Sequence, residues 1–330
     1  MCCYNGERFI YRSVGSILAQ TYPYIELIFI DDGSTDNSLE LIKSYIPQFE
    51  AKGYILKIVH QENQGLGYAA INGVEIAQGE FLSYLDVDDY LMPESVAIRA
   101  SSLRLNPDVN LVRTNAYKVQ EENINQKNLL VNSEYEKKVN DLFEALLLGN
   151  VNNYAGTYMV RTKTIHDFYI GHNIPRSRYG QNLQLLLPSA YKAKSIFIDK
   201  PLMKYIIQNG SHSNPPQLRE KVRLIPKYME IRFQMLELFE IKNITDLKRR
   251  IKDEFIRKIL DIILSYNAIG VDQIKERNEL YNKYYIELNR INIKYRFYNA
   301  HINNLSSKYL FRICWTISRF AHKIKYLCAH

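Results

Sequence analysis

The segment ELIFIDDGSTD, residues 26–36, is a short apolar run that breaks into acidic and turn-forming residues. The apolar part predicts a buried strand. The acidic part predicts a turn in which Thr35 or Asp36 caps a helix running to about Phe49. The same alternation extends outward on both sides. Upstream, Glu7–Gln20 sets Ile10, Val14, Ile17 and Leu18 on one helical stripe. Downstream, ILKIVH (55–60) predicts a strand and NQGLGYAAINGVEIA (63–77) a helix led by glycines. EFLSYLDVDD (80–89) predicts a strand running into carboxylates, Pro93 opens a further helix, and VNLVRTNAYKV (109–119) is strand-like. Strands alternating with helices predict an α/β fold: a Rossmann-like, mainly parallel sheet flanked by helices, with ligands outside the strand carboxyl ends.

The chain opens on Cys3-Tyr4-Asn5-Gly6-Glu7, which reads as a loop joining a first strand to a first helix. No strand is evident before it. The expectation is that the first strand is missing and that the recorded start lies downstream of the true one. Residues 120–138 are polar and read as a mobile connection. Asp141–Leu148 reads as a helix, 156–160 as a strand, and 178–199 as a helix followed by a strand. NPPQLRE (214–220) marks a boundary, because its two prolines break helix and strand alike. The expected division is a first domain over 1–213 and a helical, basic region over 214–330.

Composition places the chain among globular proteins, with 46% hydrophobic and 24% charged residues in 330. The formal net charge of +8 is uneven. Residues 1–212 carry 20 Lys/Arg against 23 Asp/Glu, and 213–330 carry 23 against 12. The 26 tyrosines are scattered, which fits packing better than a dedicated binding surface. Cys2, Cys3, Cys314 and Cys328 lack metal-ligand spacing, and a reduced, cytoplasmic chain fits them better than a disulfide framework. No apolar run is long enough to span a membrane, and MCCYNGERF is not a signal peptide.

Three elements follow successive strands: DDGSTD (31–36), NQGLGYAAINGV (63–74) and DVDD (86–89). Carboxylates gathered at strand ends repel one another unless a cation or hydrogen-bond donors sit among them. Asp86 and Asp88 can offer oxygen to Mg²⁺ or Mn²⁺, with a diphosphate supplying further ligands. DVDD alone would read as a solvated turn; the ordered set of three points to a metal–diphosphate site. Such a site stabilises the charge of a departing nucleoside diphosphate. Tyr4 offers a ring for a nucleobase, and Asp32 an acceptor for a ring N–H.

CYNGERFI, QTYPYIELIFIDDGSTDNS, NQGLGYAAINGV and YLDVDDYLMPE together resemble the family 2 inverting glycosyltransferases of the GT-A fold. The resemblance is strong over about 1–115 and weaker over about 155–213. It implies a nucleotide-sugar half over 1–115 and an acceptor half over 116–213. It also implies that Tyr4 and Asp32 contact the base, with Glu7 in the same nucleotide-sugar site. Gly65 and Asn72 would shape the nucleotide pocket, Asp86 would lie by ribose and metal, and Asp88 would ligate Mn²⁺ or Mg²⁺. The partners implied are a nucleoside-diphosphate sugar, a UDP-sugar first, and a glycan or lipid-linked acceptor.

The departure from the pattern is Tyr179-Gly180-Gln181-Asn182. The family carries Glu-Asp after the glycine, with the aspartate as general base. Gln181 and Asn182 are amides and cannot take a proton near neutral pH, which by itself costs about 10²–10⁴-fold in rate. His212 lies in a segment matching a loop near the diphosphate and is a weaker candidate. Residues 305–328 form a helical pattern with Leu310, Ile313, Ile317 and Ile324 on one side and Lys308, Arg312, Arg319 and Lys323 on the other. This suits either an anionic membrane surface on the inner face or packing onto the protein. No recognition motif for nucleic acid accompanies the charge. Two readings stand: a metal-dependent transferase in polysaccharide or glycoconjugate synthesis, and a catalytically silent nucleotide-sugar-binding or scaffold subunit. A dinucleotide oxidoreductase is a distant third, since the glycine run does not follow the first strand.

Overall fold

The computed structural model describes residues 1–208, 217–268 and 271–287. His212 and the 305–328 helix lie outside the described residues. In chain order the elements begin with β1 (Cys2–Cys3), α1 (Glu7–Leu18), β2 (Glu26–Asp31), α2 (Ser38–Lys43), α3 (Ile46–Lys52), β3 (Ile55–His60) and α4 (Leu66–Glu75). There follow β4 (Phe81–Leu82), β5 (Tyr90–Leu91), α5 (Ser95–Leu105), β6 (Val109–Gln120), β7 (Asn123–Leu129), α6 (Glu134–Lys137) and α7 (Leu142–Leu148). Then come β8 (Tyr158–Arg161), α8 (Thr162–Gly171), α9 (Leu183–Ala190) and β9 (Lys194–Ile207), and last α10 (Leu218–Leu236), α11 (Ile244–Ser265) and α12 (Val271–Ile286).

The strands form two sheets. One is wholly parallel, in the order β1-β2-β3. The other is mixed, in the order β4-β8-β6-β9-β5, with β7 hairpinned onto β6 and only β6–β9 parallel. The expected α/β fold with its parallel sheet is present, and the mixed pairing lies in the second sheet. The first strand is also not missing. Cys2 and Cys3 pair in parallel with Ile30 and Asp31, and the Ile30 amide donates to the Met1 carbonyl at 2.9 Å. The polar stretch at 120–138 holds β7 and α6, so it is no structureless connection. The helix expected up to Phe49 is split in two, because Pro47 lies in the first turn of α3 and starts a new helix.

Core packing explains why the parallel sheet sits where it does. Ile10, Val14 and Ile17 on α1 join Leu27 and Phe29 of β2, Ile42 of α2 and Phe49 of α3 in one buried cluster. Each such side chain contributes roughly 1.5–3 kcal/mol when fully buried. On the opposite face Ile28 and Ile30 meet Ala69 and Ala77. A cavity of about 400 Å³ with a mostly apolar lining lies among Ile28, Gly73, Val74, Leu82, Arg99 and Met159. At Gly73 within α4 an added Cβ would meet Ile30 Cγ1 at 3.4 Å and Ile28 Cγ2 at 3.8 Å, ordinary contacts. Gly73→Ala is therefore expected to raise stability by about 0.5–1 kcal/mol, visible as a higher midpoint in chemical denaturation.

Two compact units are present: Met1–Ser211 with Lys227–Ile244, and His212–Pro226 with Thr245–His330. In the second, most of the described residues are helical, and Leu218 and Val222 pack with Ile256, Ile259, Leu260, Ile263, Tyr281 and Tyr284. No helix among the described residues is long and apolar enough to cross a membrane.

Candidate active site

The loops after β1, β2 and β3 are tied together by their own polar groups. The amides of Asn5, Gly6 and Glu7 donate to Ser34 Oγ, Ser38 Oγ and Asp36 Oδ2 at 2.9, 3.0 and 3.1 Å. In return Thr35 N donates to Asn5 Oδ1 at 2.7 Å, and Asn37 N to Glu7 Oε2 at 3.1 Å. Glu7 therefore braces the DDGSTD turn. Tyr4 keeps an accessible ring, 51% exposed, beside that brace.

Asp32 is buried, and its carboxylate accepts from Gln61 Nε2 at 2.8 Å, Gln64 N at 3.0 Å and Gly65 N at 2.8 Å. It anchors the glycine loop where α4 begins. Gln61 continues the chain of contacts by accepting from Asn72 Nδ2 at 2.7 Å, and Asn72 in turn accepts from Arg176. The loop's glycines are required by close approach. Gly65 sits at φ +99°, and a Cβ there would meet Arg178 Cα at 2.8 Å. A Cβ on Gly67 would meet Ser177 O at 2.3 Å and Gly180 O at 2.7 Å. Those backbone atoms precede Gln181 and Asn182, so the glycine helix seats the amide pair. Gly67→Ala is expected to displace the 177–180 loop and lower any transfer rate by about 10²-fold, the scale of a 1 Å misplacement. A nucleotide titration alongside the assay separates this from loss of donor binding.

DVDD leaves β4 at the same place. Asp86 Oδ1 accepts from Gln181 Nε2 at 2.6 Å, Asp88 Oδ2 from Gln208 Nε2 at 2.9 Å, and Asp89 Oδ1 from Ile206 N at 2.8 Å. Burial, then the charge of Asp88, pushes the Asp86 carboxyl up to about 6, against the opposing Gln181 hydrogen bond. Burial also raises Asp88, with Arg12 and Arg8 pulling the other way. Burial and the two neighbouring carboxylates push Asp89 well above the usual range. Arg12 Nη2 donates to the Asp88 carbonyl at 2.7 Å, and Arg8 to Gln208 Oε1 at 2.8 Å.

This pair of mutually repelling, half-buried carboxylates suits a hard divalent cation, and the donor set is all oxygen. Among the described residues no group of three acidic, His or Cys side chains converges. Asp86 and Asp88 would hold only part of the coordination shell, leaving positions for phosphate oxygens. Burial pushes the Cys2 thiol up to about 12.

Asn182 lies at the head of α9, and its Oδ1 accepts the hydroxyl proton of Tyr158, which is fully buried. Behind Tyr158 stands Arg99, also fully buried. Its guanidinium donates to Ser83 Oγ, Gly156 O, Tyr158 O and Ser95 Oγ at 2.9–3.2 Å. Gln61, Arg99, Tyr158, Arg176 and Gln208 were not singled out by sequence reasoning. Each acts across a long separation, and only Gln61, inside HQENQG, had a local signal.

The structure thus brings Asp86 together with Gln181, with Asn182 next in sequence, and separately ties Asp32 directly to Gly65 and, through Gln61, to Asn72. The sequence profile of Glycosyl transferase family 2 matches residues 1–169, just over half of the 330, and the chain belongs to that family. EpsH of Bacillus subtilis, described as a putative glycosyltransferase, is 38% identical over 28% of this chain and 25% of its own. Glycosyltransferase GlyA of Streptococcus pneumoniae is 26% identical over 71% of this chain and 36% of its own. The chain spans about a quarter to two fifths of the length of the curated relatives it matches. Among solved structures, S. aureus TarS 1-349 in complex with UDP-GlcNAc aligns with a TM-score of 0.58 at 16% identity, over 86% of this chain and 78% of that one. The mannosyltransferase PcManGT of Pyrobaculum calidifontis, in complex with GDP-Man and Mn²⁺, aligns with a TM-score of 0.53 at 12% identity, over 97% and 85%. These likenesses carry the GT-A α/β fold.

Proposed function

We propose that this chain transfers a sugar, with inversion, from a nucleoside-diphosphate sugar, a UDP-sugar first, to a glycan or lipid-linked acceptor in cell-surface polysaccharide or glycoconjugate synthesis. The observation that carries the reading is the half-buried Asp86–Asp88 pair, both carboxyls raised, with Gln181 bonded to Asp86. Family membership and the nucleotide sugars bound by TarS and PcManGT support it. Asp86 and Asp88 would hold Mn²⁺ or Mg²⁺, which when bound supplies positive charge to the leaving diphosphate. Tyr4 would stack on the base, Asp32 and Gly65 would keep the glycine loop in place for the nucleotide, and Asn72 would hold Arg176 at the pocket wall. Residues 1–213 would form the transferase domain, 1–115 serving the donor and 116–213 the acceptor, with 214–330 as the helical region. His212 and attachment to an anionic inner membrane surface through 305–328 stay part of this proposal. Nucleic acid has no place in it.

Binding of the cation needs Asp86 ionised. Because the carboxyl is raised to about 6, Mn²⁺-supported binding of UDP is expected to weaken as the pH falls through 6, and to level off above it. Isothermal titration of UDP at pH 5 to 8, with Mn²⁺ and with a chelator, tests this. Binding unaffected by the chelator would remove the metal from the account. The second reading, a silent nucleotide-sugar-binding subunit, is favoured by one observation, the amide at position 182. It is distinguished by nucleotide binding without turnover on any acceptor.

A further inference from the structure

Each carboxylate of the cation site is held by the side-chain amide of a glutamine, and the inference rests on the cation-site reading above. Gln181 Nε2 donates to Asp86 Oδ1 at 2.6 Å, and Gln208 Nε2 to Asp88 Oδ2 at 2.9 Å. Both glutamines are themselves buried, at 3% and 9% exposure. They reach the site from different elements, Gln181 just ahead of α9 and Gln208 just past β9. Each is fixed from behind. Gln208 Oε1 accepts from Arg8 Nη2 at 2.8 Å, which turns its N–H₂ end towards Asp88. Gln181 follows Gly180, whose carbonyl stands so near α4 that a Cβ on Gly67 would meet it at 2.7 Å.

An amide brings neither a charge nor a titrating proton near neutral pH, so what these two side chains supply is direction. A hydrogen bond to an ionised carboxylate is roughly twice as strong as a neutral one, so each amide fixes the plane of its carboxylate and engages one of the two oxygens. Cations differ in how they meet such rigidity. Ca²⁺ gathers about six to eight oxygens in a flexible shell and often takes a carboxylate through both of its oxygens. Mg²⁺ keeps a strict octahedron filled by waters and phosphate oxygens and needs only one or two carboxylates. Mn²⁺ shares that octahedral preference for oxygen. We propose that Gln181 and Gln208 are positioning residues that set the cation preference of the site: each keeps its aspartate to one oxygen for the cation, which favours Mg²⁺ or Mn²⁺ and disfavours Ca²⁺.

The test follows Mn²⁺ by electron paramagnetic resonance in the full chain with UDP, and measures its displacement by Ca²⁺. The preference of UDP itself among cations is common to every variant and cancels in the comparison. Gln181→Met and Gln208→Met keep the length of the side chain and remove the N–H₂. The wild type is expected to prefer Mn²⁺ by at least about 100-fold, and each variant to lower that preference by about 10-fold or more. Calorimetry of UDP with Ca²⁺ alone supplies the Ca²⁺ affinity where Mn²⁺ binding becomes too weak to follow. A glutamine that served packing alone would weaken both cations alike and leave the ratio where it was. An unchanged ratio in either variant, in a chain that melts as the wild type does, therefore overturns the inference. The two positions lie on different elements, so a variant that fails to fold leaves the other to decide. Wild-type binding of Mn²⁺ with UDP but without preference over Ca²⁺ overturns this inference alone, whereas absence of UDP-dependent Mn²⁺ binding overturns the reading beneath it.

Discussion

Asp88→Asn is expected to abolish Mn²⁺-supported binding of UDP and to lower sugar transfer by at least about 10³-fold, roughly 4 kcal/mol. The metal-free fold is expected to be no less stable than the wild type. Both outcomes follow from one geometry. Asp88 is half-buried and raised, and its charge is a cause of the upward shift at Asp86. An amide at 88 can still accept from Gln208 Nε2, so the local hydrogen bond survives while the repulsion is relieved. The sign for Asp86 is explicit. A folded-state carboxyl raised from 3.8 to about 6 means the native state binds its proton more tightly than the unfolded chain does. Its contribution to stability is fully present below 3.8 and is lost as pH rises through about 6, a change of roughly 3 kcal/mol. Thermal melts of the metal-free wild type and Asp88→Asn from pH 4 to 8 should show the wild type falling further over that window. A variant that melts far below wild type at pH 7 would mean that Asp88 serves the fold and not a ligand.

The second large effect is expected at Arg99. Its guanidinium is fully buried, and no carboxylate is among its hydrogen-bond partners. Burial lowers its pKa to about 10, so it stays charged at neutral pH. It joins Ser83, three residues before Asp86, to Gly156 and Tyr158, and Tyr158 holds Asn182. Arg99→Ala removes the packing volume and leaves the Gly156 and Tyr158 carbonyls without this donor. The expected loss is about 3–5 kcal/mol, a fall in Tm of about 10 °C or more. Arg99→Lys should recover part of the stability but not the four-way brace, because an ammonium cannot reproduce the planar fork. If Arg99→Ala melted within a few degrees of wild type, the brace would be redundant.

Much of the donor half was legible because its motifs follow strands. An apolar run ending in DDGSTD states both where β2 stops and which carboxylates stand at its end, whereas β4 stops at Leu82, short of DVDD. The glycines of NQGLG were legible as a helix start, although their real constraint is contact with Ser177–Gly180, more than a hundred residues away. The mixed sheet was not legible. β4, β5 and β8 are two to four residues long, too short for a period; β8 pairs with β6, β5 with β9, and β4 with β8. Nor was the split of the acidic site from its supports, because Arg99, Tyr158 and Gln208 reach it only through the fold. At 120–138 polar composition read as a connection. A hairpin forms there because β6 offers a paired edge, with Leu129 opposite Tyr117. For Asp32 the sequence suggested a base contact; that its carboxylate also accepts from Gln61 Nε2, Gln64 N and Gly65 N had no local signal.

The central claim is that Asp86 and Asp88 form a cation-dependent site for a nucleoside diphosphate. The most direct measurement is isothermal titration of UDP into the wild-type chain at pH 7.5, with Mn²⁺ and then with a chelator, repeated on Asp88→Asn. The account predicts binding in the wild type that needs Mn²⁺ and is absent from Asp88→Asn. Equal binding with and without Mn²⁺, or undiminished binding by Asp88→Asn, would contradict it.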